Sequence, residues 1–277
     1  MAYYFTYHLT GQGQAKVLTD VIIACQEFDV NVKVVTFNGL AANMTIVNVL
    51  GANIKFPEKR PKSIPRRARI KTPQQTEADR MKYAPMKTTV VHPKTKEDIH
   101  VMLDTCHMLK LARNLLAQTK KGIKIPGFHK AVKWSYIEEL FEYQNRQGFR
   151  LGNKLTKSHV YIGAHKMKVV LAAQVLSNST ADALRQLRDE LKHPKFVGSE
   201  ATEENCCKFN KLFDMLNSWN PKQVNDRAPL TISNLPEKKK IFKDCKNSLN
   251  HCNLLRIMYA LDLLSKIYSS ISLALFD

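Results

Sequence analysis

Four groups of residues in this chain have the types and spacing to do chemistry. Asp104-Thr105-Cys106-His107 sets a carboxylate and an imidazole three residues apart. At the point where a strand gives way to a helix, such side chains face the crevice above a sheet and could orient a metal or a phosphate; the same Asp could equally cap the helix. Asp214 and Asn217 stand three apart in a run of helical period and so share a face. There a carboxylate can accept from the N1–H and exocyclic amine of a guanine, Asn can reach sugar or phosphate, and Phe213 can pack on the base; the bland alternative is the polar edge of an amphipathic helix. Lys154, Lys157, Lys166 and Lys168 could neutralise a triphosphate or simply coat a helix surface. Cys245, His251 and Cys252 could be drawn around a zinc ion, but no fourth ligand stands at normal spacing, and Leu249 and Leu254 beside them suit buried thiols. No metal site is assigned from these residues.

The usual enzyme signatures are absent. Gly11-Gln12-Gly13 is too short for a dinucleotide loop, and the sequence contains neither G-x-x-x-x-G-K-[ST] nor G-x-S-x-G. The charge balance is more informative: 43 Lys+Arg against 24 Asp+Glu leave +19 over 277 residues. Much of it is clustered. Lys55, Lys59, Arg60, Lys62, Arg66, Arg67, Arg69 and Lys71 face only Glu58, and residues 119–168 hold eleven basic residues to three acidic. Such clustering is the electrostatic footprint of a polyanion such as DNA, or else a solvated loop or nuclear localisation signal. The tail Leu254–Phe276 is broken by Arg256, Asp262 and Lys266, so no membrane span is expected. The start carries no signal-peptide pattern, and six cysteines without framework spacing point to a reducing compartment.

The elements that must hold these groups read as an α/β unit followed by an α unit. A β-rich run at Ala2–His8, a helical period over Gln14–Phe28, a strand at Val32–Phe37 expected to be buried and central, and a helix at Leu40–Leu50 give strand–helix–strand–helix grammar. Residues 55–97, with Pro57, Pro61, Pro65, Pro73, Pro85 and Pro93, read as an exposed basic insertion. A strand at Asp98–Leu103 and a helix from near His107 close the first unit at about residue 118. In residues 119–277, Ser135-x-x-Glu138 and Ser179-x-x-Asp182 look like capping boxes, the second opening a helix with Leu184, Leu187 and Leu191. Thr202 opens a helix whose core face is Phe209, Leu212, Phe213 and Leu216, and a last helix spans Asn253–Tyr268.

The segments YYFTYHLTGQGQAKVL, VKVVTFNGLAANMTIVNVLG, VMLDTCHMLKLARNLLA, GFRLGNKLTKSHV, HKMKVVLAAQVLSNSTADAL, GSEAT and KLFDMLNSWNP, in this order, resemble the P-element transposase family, including its THAP-type members. The resemblance runs from Tyr3 to about Pro229 and is most specific from Gly148 to Asn220. It implies an RNase H-like catalytic domain interrupted by a helical GTP-binding insertion. Residues 1–118 would then be an incomplete RNase H-like α/β unit, and 119–277 the mostly helical insertion domain. In such a family three carboxylates hold two metal ions for DNA cleavage and strand transfer, and GTP assists assembly on DNA.

The resemblance also implies site residues. Asn38 stands where the family carries its second catalytic Asp, while the first Asp and the final Glu are expected on sequence outside this chain. A neutral amide binds Mg²⁺ far more weakly than a carboxylate. The expectation is therefore a transposase-derived protein without its own catalytic triad, with a fragment of an active transposase, completed by flanking sequence and Mg²⁺, as the alternative. Lys154 resembles a phosphate-contacting lysine, Lys168 and Val169 a pair beside the base, and Ser177 a phosphate-side hydroxyl. Phe213, Asp214 and Asn217 match an F-D-x-x-N pattern in which the Asp reads guanine. Lys59, Arg60, Lys62, Arg66, Arg67 and Arg69 are the candidate DNA contacts. The implied partners are GTP and DNA in the nucleus, with a homo-oligomer allowed.

Overall fold

The computed structural model describes residues 9–39, 41–54, 87–125, 129–218 and 220–249. The expected strand Ala2–His8, the basic run from Lys59 to Arg69, the helix Asn253–Tyr268, His251 and Cys252 lie outside the described residues. The chain divides into two compact units, Met1–Leu103 and Asp104–Asp277.

In the first unit, α1 spans Gly11–Glu27 and opens on Thr10, whose hydroxyl accepts from Gly13 N–H at 3.2 Å. It packs on α2, Ala41–Val49, and a Cβ added at Gly11 would meet Thr45 at 2.6 Å. The Gly-Gln-Gly run is thus part of a helix start where two helices approach closely. The described sheet has three strands in the order β1 (Val34–Phe37), β3 (Asp98–Leu103), β2 (Thr89–Val91), with β1 parallel and β2 antiparallel to β3. The strand expected at Val32–Phe37 is not buried as the sequence suggested. Its side chains alternate between exposed and half-buried, whereas β3 lies between two neighbours and buries Ile99, Val101 and Leu103. The far end of the expected Pro-rich insertion is also structured. Residues 87–97 form the β2 arm of a hairpin, because Thr88–Val91 are β-branched and buried His92 closes the turn by accepting at Nδ1 from the Lys94 and Thr95 N–H groups.

The second unit is helical. Its first helix, α3 (Thr105–Gln118), packs on α6 (Val169–Val175) and α8 (Glu200–Leu216), so the compact unit begins at Asp104. An antiparallel bridge between Ile123 and Val132 precedes α4 (Ser135–Gln147). Short α5 (Lys157–Val160) leads to α6, then α7 (Asn178–Arg185), α8, and finally α9 (Leu235–Leu249). The core is built from Ile137, Leu140, Leu184, Leu187, Phe196, Phe209 and Leu212, all essentially inaccessible to water. Side chains of this kind contribute about 1.5–3 kcal/mol each on burial.

Capping differs from the sequence reading at two helices. Ser135 is already helical and the residue before it, Trp134, makes no side-chain cap. Ser177, not Ser179, caps α7, accepting from Thr180 N–H. A capping box exists elsewhere, at Thr156 and His159. After Arg185 the backbone widens into a π turn over Gln186–Glu190, which keeps Leu187 buried but leaves Leu191 about half exposed, off the expected core face.

Asp104 shows why α3 starts where it does. Its two carboxylate oxygens accept from the backbone N–H groups of Cys106 (3.2 Å) and His107 (3.0 Å), satisfying two of the donors a helix start leaves free. Asp104→Ala should therefore lower the unfolding free energy by about 1 kcal/mol, and Asp104→Asn by less, since Asn caps nearly as well. Denaturant titration checks this; equal stability of Asp104→Ala and the parent chain would contradict it.

Candidate functional site

In the helical unit a concavity lies where the loop after α4, the end of α6, the start of α7 and the last turns of α8 meet. A cleft of about 270 Å³ is lined there by Lys154, Gln174, Ser177, Asn210, Phe213, Asp214 and Arg227, among others. A second cleft, of about 530 Å³, adjoins it and shares Asn210, Asp214 and Arg227, with Asn178 and Lys222 on its far side. Together they reach the size at which small-molecule sites are usually found.

Each wall has a local cause. Gly148 ends α4 in the left-handed conformation (φ +73°), and the chain then passes through Gly152 (φ +67°) to put exposed Lys154 at the cleft edge. α6 ends at Val175 because Ser177 turns the chain. Its hydroxyl donates to the Gln174 carbonyl at 2.9 Å while accepting from Thr180 N–H. One half-buried hydroxyl thus closes one helix and opens the next. On α8, Asn210 and Asp214 are one turn apart, and Asn210 Nδ2 donates to Asp214 Oδ2 at 2.9 Å. Arg227 Nε donates to Asp214 Oδ1 at 2.8 Å, so both carboxylate oxygens are engaged. Arg227 belongs to a 3₁₀ turn, Asn225–Arg227, that the buried Lys238 of α9 holds by donating to the carbonyls of Asp226 (3.3 Å) and Ala228. Burial pushes the Lys238 ammonium below its ordinary basicity.

Of the residues selected from sequence, Lys154, Ser177, Phe213 and Asp214 line one cleft. Lys168, Val169 and Asn217 line neither. Lys168 is the N-cap of α6 and is exposed, and Val169 is that helix's first residue. Asn217 is the C-cap of α8: the helix ends at Leu216, so the face it was expected to share with Asp214 stops one residue short. Gln174, Asn210 and Arg227 were not selected. Asn210 was within reach of helical spacing, four residues before Asp214, but nothing in the local pattern marks Arg227, which arrives from a separate turn.

The remaining candidates are differently placed. Asp104 spends both oxygens on the α3 cap, and His107 lies half-buried in that helix's first turn. Asn38, just past β1, is exposed, and its side-chain oxygen accepts from Asn43 Nδ2. No group of three His, Cys, Asp or Glu side chains suited to a metal occurs among the described residues. Burial pushes the Cys245 thiol up to about 11 and Cys206 well above its ordinary value, which is the behaviour of inert core thiols. The candidate DNA contacts Lys59, Arg60, Lys62, Arg66, Arg67 and Arg69 lie outside the described residues. No helix among the described residues is long and apolar enough to cross a membrane.

Known proteins resemble this chain in sequence and in fold. Residues 106–229 match the TNP-like, GTP-binding insertion domain, and residues 1–51 the TNP-like, RNase H N-terminal domain. The human DNA transposase THAP9 is 25% identical over 238 residues, which is 86% of this chain and 22% of that protein. The transposable element P transposase of Drosophila melanogaster is 29% identical over 135 residues, 48% of this chain and 16% of that one. The chain thus spans about a fifth or less of the curated relatives it matches. In fold it is similar to the Drosophila P element transposase strand transfer complex, with a TM-score of 0.65 at 19% identity, covering 92% of this chain and 52% of the other. Both matched domains are TNP-like, the fold shows them in order as an RNase H-like N-terminal region followed by a helical insertion domain, and the chain is thus similar in sequence and fold to P-element-type transposases.

Proposed function

We propose that this chain binds a guanine nucleotide in the cleft beside Asp214 and engages DNA through its basic stretches, without strand cleavage of its own. The observation that carries the first half is the meeting of Lys154, Ser177, Phe213 and Asp214 in one cleft, although they come from three separate segments. Asp214 would take the paired donors of the guanine edge in place of Arg227, Phe213 would pack on the base, and Lys154 and Ser177 would meet the phosphates. Lys168, at the start of α6, would add charge from outside the cleft wall. The match of residues 106–229 to a GTP-binding insertion domain supports the same ligand.

Catalysis is a different matter. Two-metal strand transfer needs carboxylate charge to hold divalent ions such as Mg²⁺. The described residues do not fit that requirement: Asn38 is neutral with its oxygen engaged, and Asp104 is a helix cap. For DNA, Lys120, Lys121, Lys124, Lys130 and Lys133 stand around the Ile123–Val132 bridge, adding to the basic run near Arg66. Contacts of this kind meet phosphates and carry little sequence information. Relatives named as DNA transposases make the nucleus the natural compartment and leave room for a homo-oligomer.

Equilibrium binding of fluorescent GTP to the full chain tests the nucleotide half. Unlabelled GTP should compete better than ATP, and Asp214→Ala should abolish the preference. Thermal stability should hardly change, because the exposed Arg227 pair is worth under about 1 kcal/mol. Equal competition by both nucleotides before and after the change would refute the assignment. For DNA, about six neutralised phosphates predict a log–log salt slope near −5 with weak sequence preference. Salt-independent binding, or none, would assign the basic stretches to solvation.

A further inference from the structure

A buried histidine beside the cleft residue Gln174 is held in one tautomer, and that tautomer fixes which end of the Gln174 amide it engages. The backbone N–H of Thr156 donates to His159 Nδ1 at 3.0 Å. A backbone N–H can only donate, so Nδ1 is an acceptor and the ring hydrogen sits on Nε2. His159 is buried, and burial holds it below its ordinary basicity, with the nearby charges of Arg113 and Arg150 acting in the same direction. Its Nε2 lies 2.7 Å from the side-chain oxygen of Gln174. A ring N–H there requires an oxygen opposite it, so the orientation of the Gln174 amide follows from the network and is not an arbitrary choice.

With the oxygen committed to His159, the Gln174 amide nitrogen is the group left over. It makes no hydrogen bond among the described residues, and Gln174 lines the cleft. The Gln174 carbonyl, meanwhile, accepts from Ser177 Oγ (2.9 Å) and Thr180 Oγ1 (3.1 Å), which fixes the backbone from which the side chain springs.

We propose that Gln174 is a ligand-binding residue of the cleft, its amide N–H group donating to a phosphate oxygen of the bound nucleotide, and that His159 is the positioning residue that keeps the donor facing that way. The inference rests on the nucleotide reading above. The phosphate end is assigned because Gln174 shares its turn with Ser177, while Asp214, on α8, forms the base-reading end.

The test is competition binding on the full chain with GTP and with guanosine, which keeps the base and lacks phosphate. Gln174→Leu removes the donor without adding charge and should weaken GTP about tenfold, as expected for a hydrogen bond to a charged acceptor. Guanosine should change less than about twofold on the same reasoning. Gln174→Glu keeps the His159 contact but turns a carboxylate oxygen to the cleft, and should weaken GTP further still while sparing guanosine. His159→Phe should weaken GTP in the parent chain and have no further effect in the Gln174→Leu background. If His159→Phe fails to fold, the two Gln174 variants at this half-exposed position decide alone. GTP affinity unchanged in both Gln174 variants, or equal losses for GTP and guanosine, would overturn the proposal. If the parent chain shows no preference for GTP over ATP, the nucleotide reading itself fails, a result distinguishable because it is read before any Gln174 variant is made.

Discussion

A guanidinium taken completely out of water must have its donors met, and the helical unit is arranged around one. Arg113 on α3 is fully buried, with no carboxylate paired to it among the described residues. Its Nη2 donates to the carbonyls of His165 (3.1 Å) and Lys166 (3.0 Å), and its Nε to Asn114 Oδ1 (2.9 Å). Removing such a charge from solvent costs on the order of several kcal/mol unless dipoles replace the lost water, and here the dipoles are backbone carbonyls of the 163–166 turn. The arginine therefore fixes the course of the chain into α6, and α6 ends at the cleft. Asn114 Nδ2 adds a second tie to Lys166. Arg113 Nη1, with no hydrogen-bond partner among the described residues, marks the tension in this solution.

From that anchor the cleft is assembled by small polar devices, not by a large apolar floor. Ser177 joins α6 to α7, Lys238 holds the turn that presents Arg227, and Asn210 braces Asp214. Each device satisfies backbone or carboxylate groups that would otherwise be left exposed at helix ends. Most of the polar atoms facing the cleft are consequently shared with the fold, and a ligand has to take them by exchange. Asp214 illustrates this: its oxygens are occupied by Asn210 and by Arg227, the latter on an exposed arm that is cheap to displace.

The α/β unit contributes differently. Its described strands supply strand ends at Asn38 and Leu103, and the residue at the first is an amide engaged by Asn43. The close approach at Gly11 and the hairpin that includes His92 give this unit well-packed local structure, although the hairpin turn stands at the other end of the sheet from Asn38. An amide at this strand end carries no charge to offer a divalent ion.

The sequence by itself carried the family resemblance, the order of α/β before α, and the periodic helices, because hydrophobic spacing along one segment is enough to specify which face is buried. It also picked out Lys154, Ser177, Phe213 and Asp214 through a motif. It misjudged the helix caps at Ser135 and Ser179 by one and two positions: the caps that formed, Trp134 and Ser177, have no acidic residue three positions on, so the Ser-x-x-acid pattern did not mark them. It expected β1 to be buried, because an apolar run cannot by itself report which of its faces will be covered. Only the tertiary structure decided that Arg227 lies on Asp214, that Asn217 falls past the end of its helix, and that Gln174 is oriented by His159. Those relations join residues separated in the chain or turn on a hydrogen atom's placement, and no one-dimensional period encodes either.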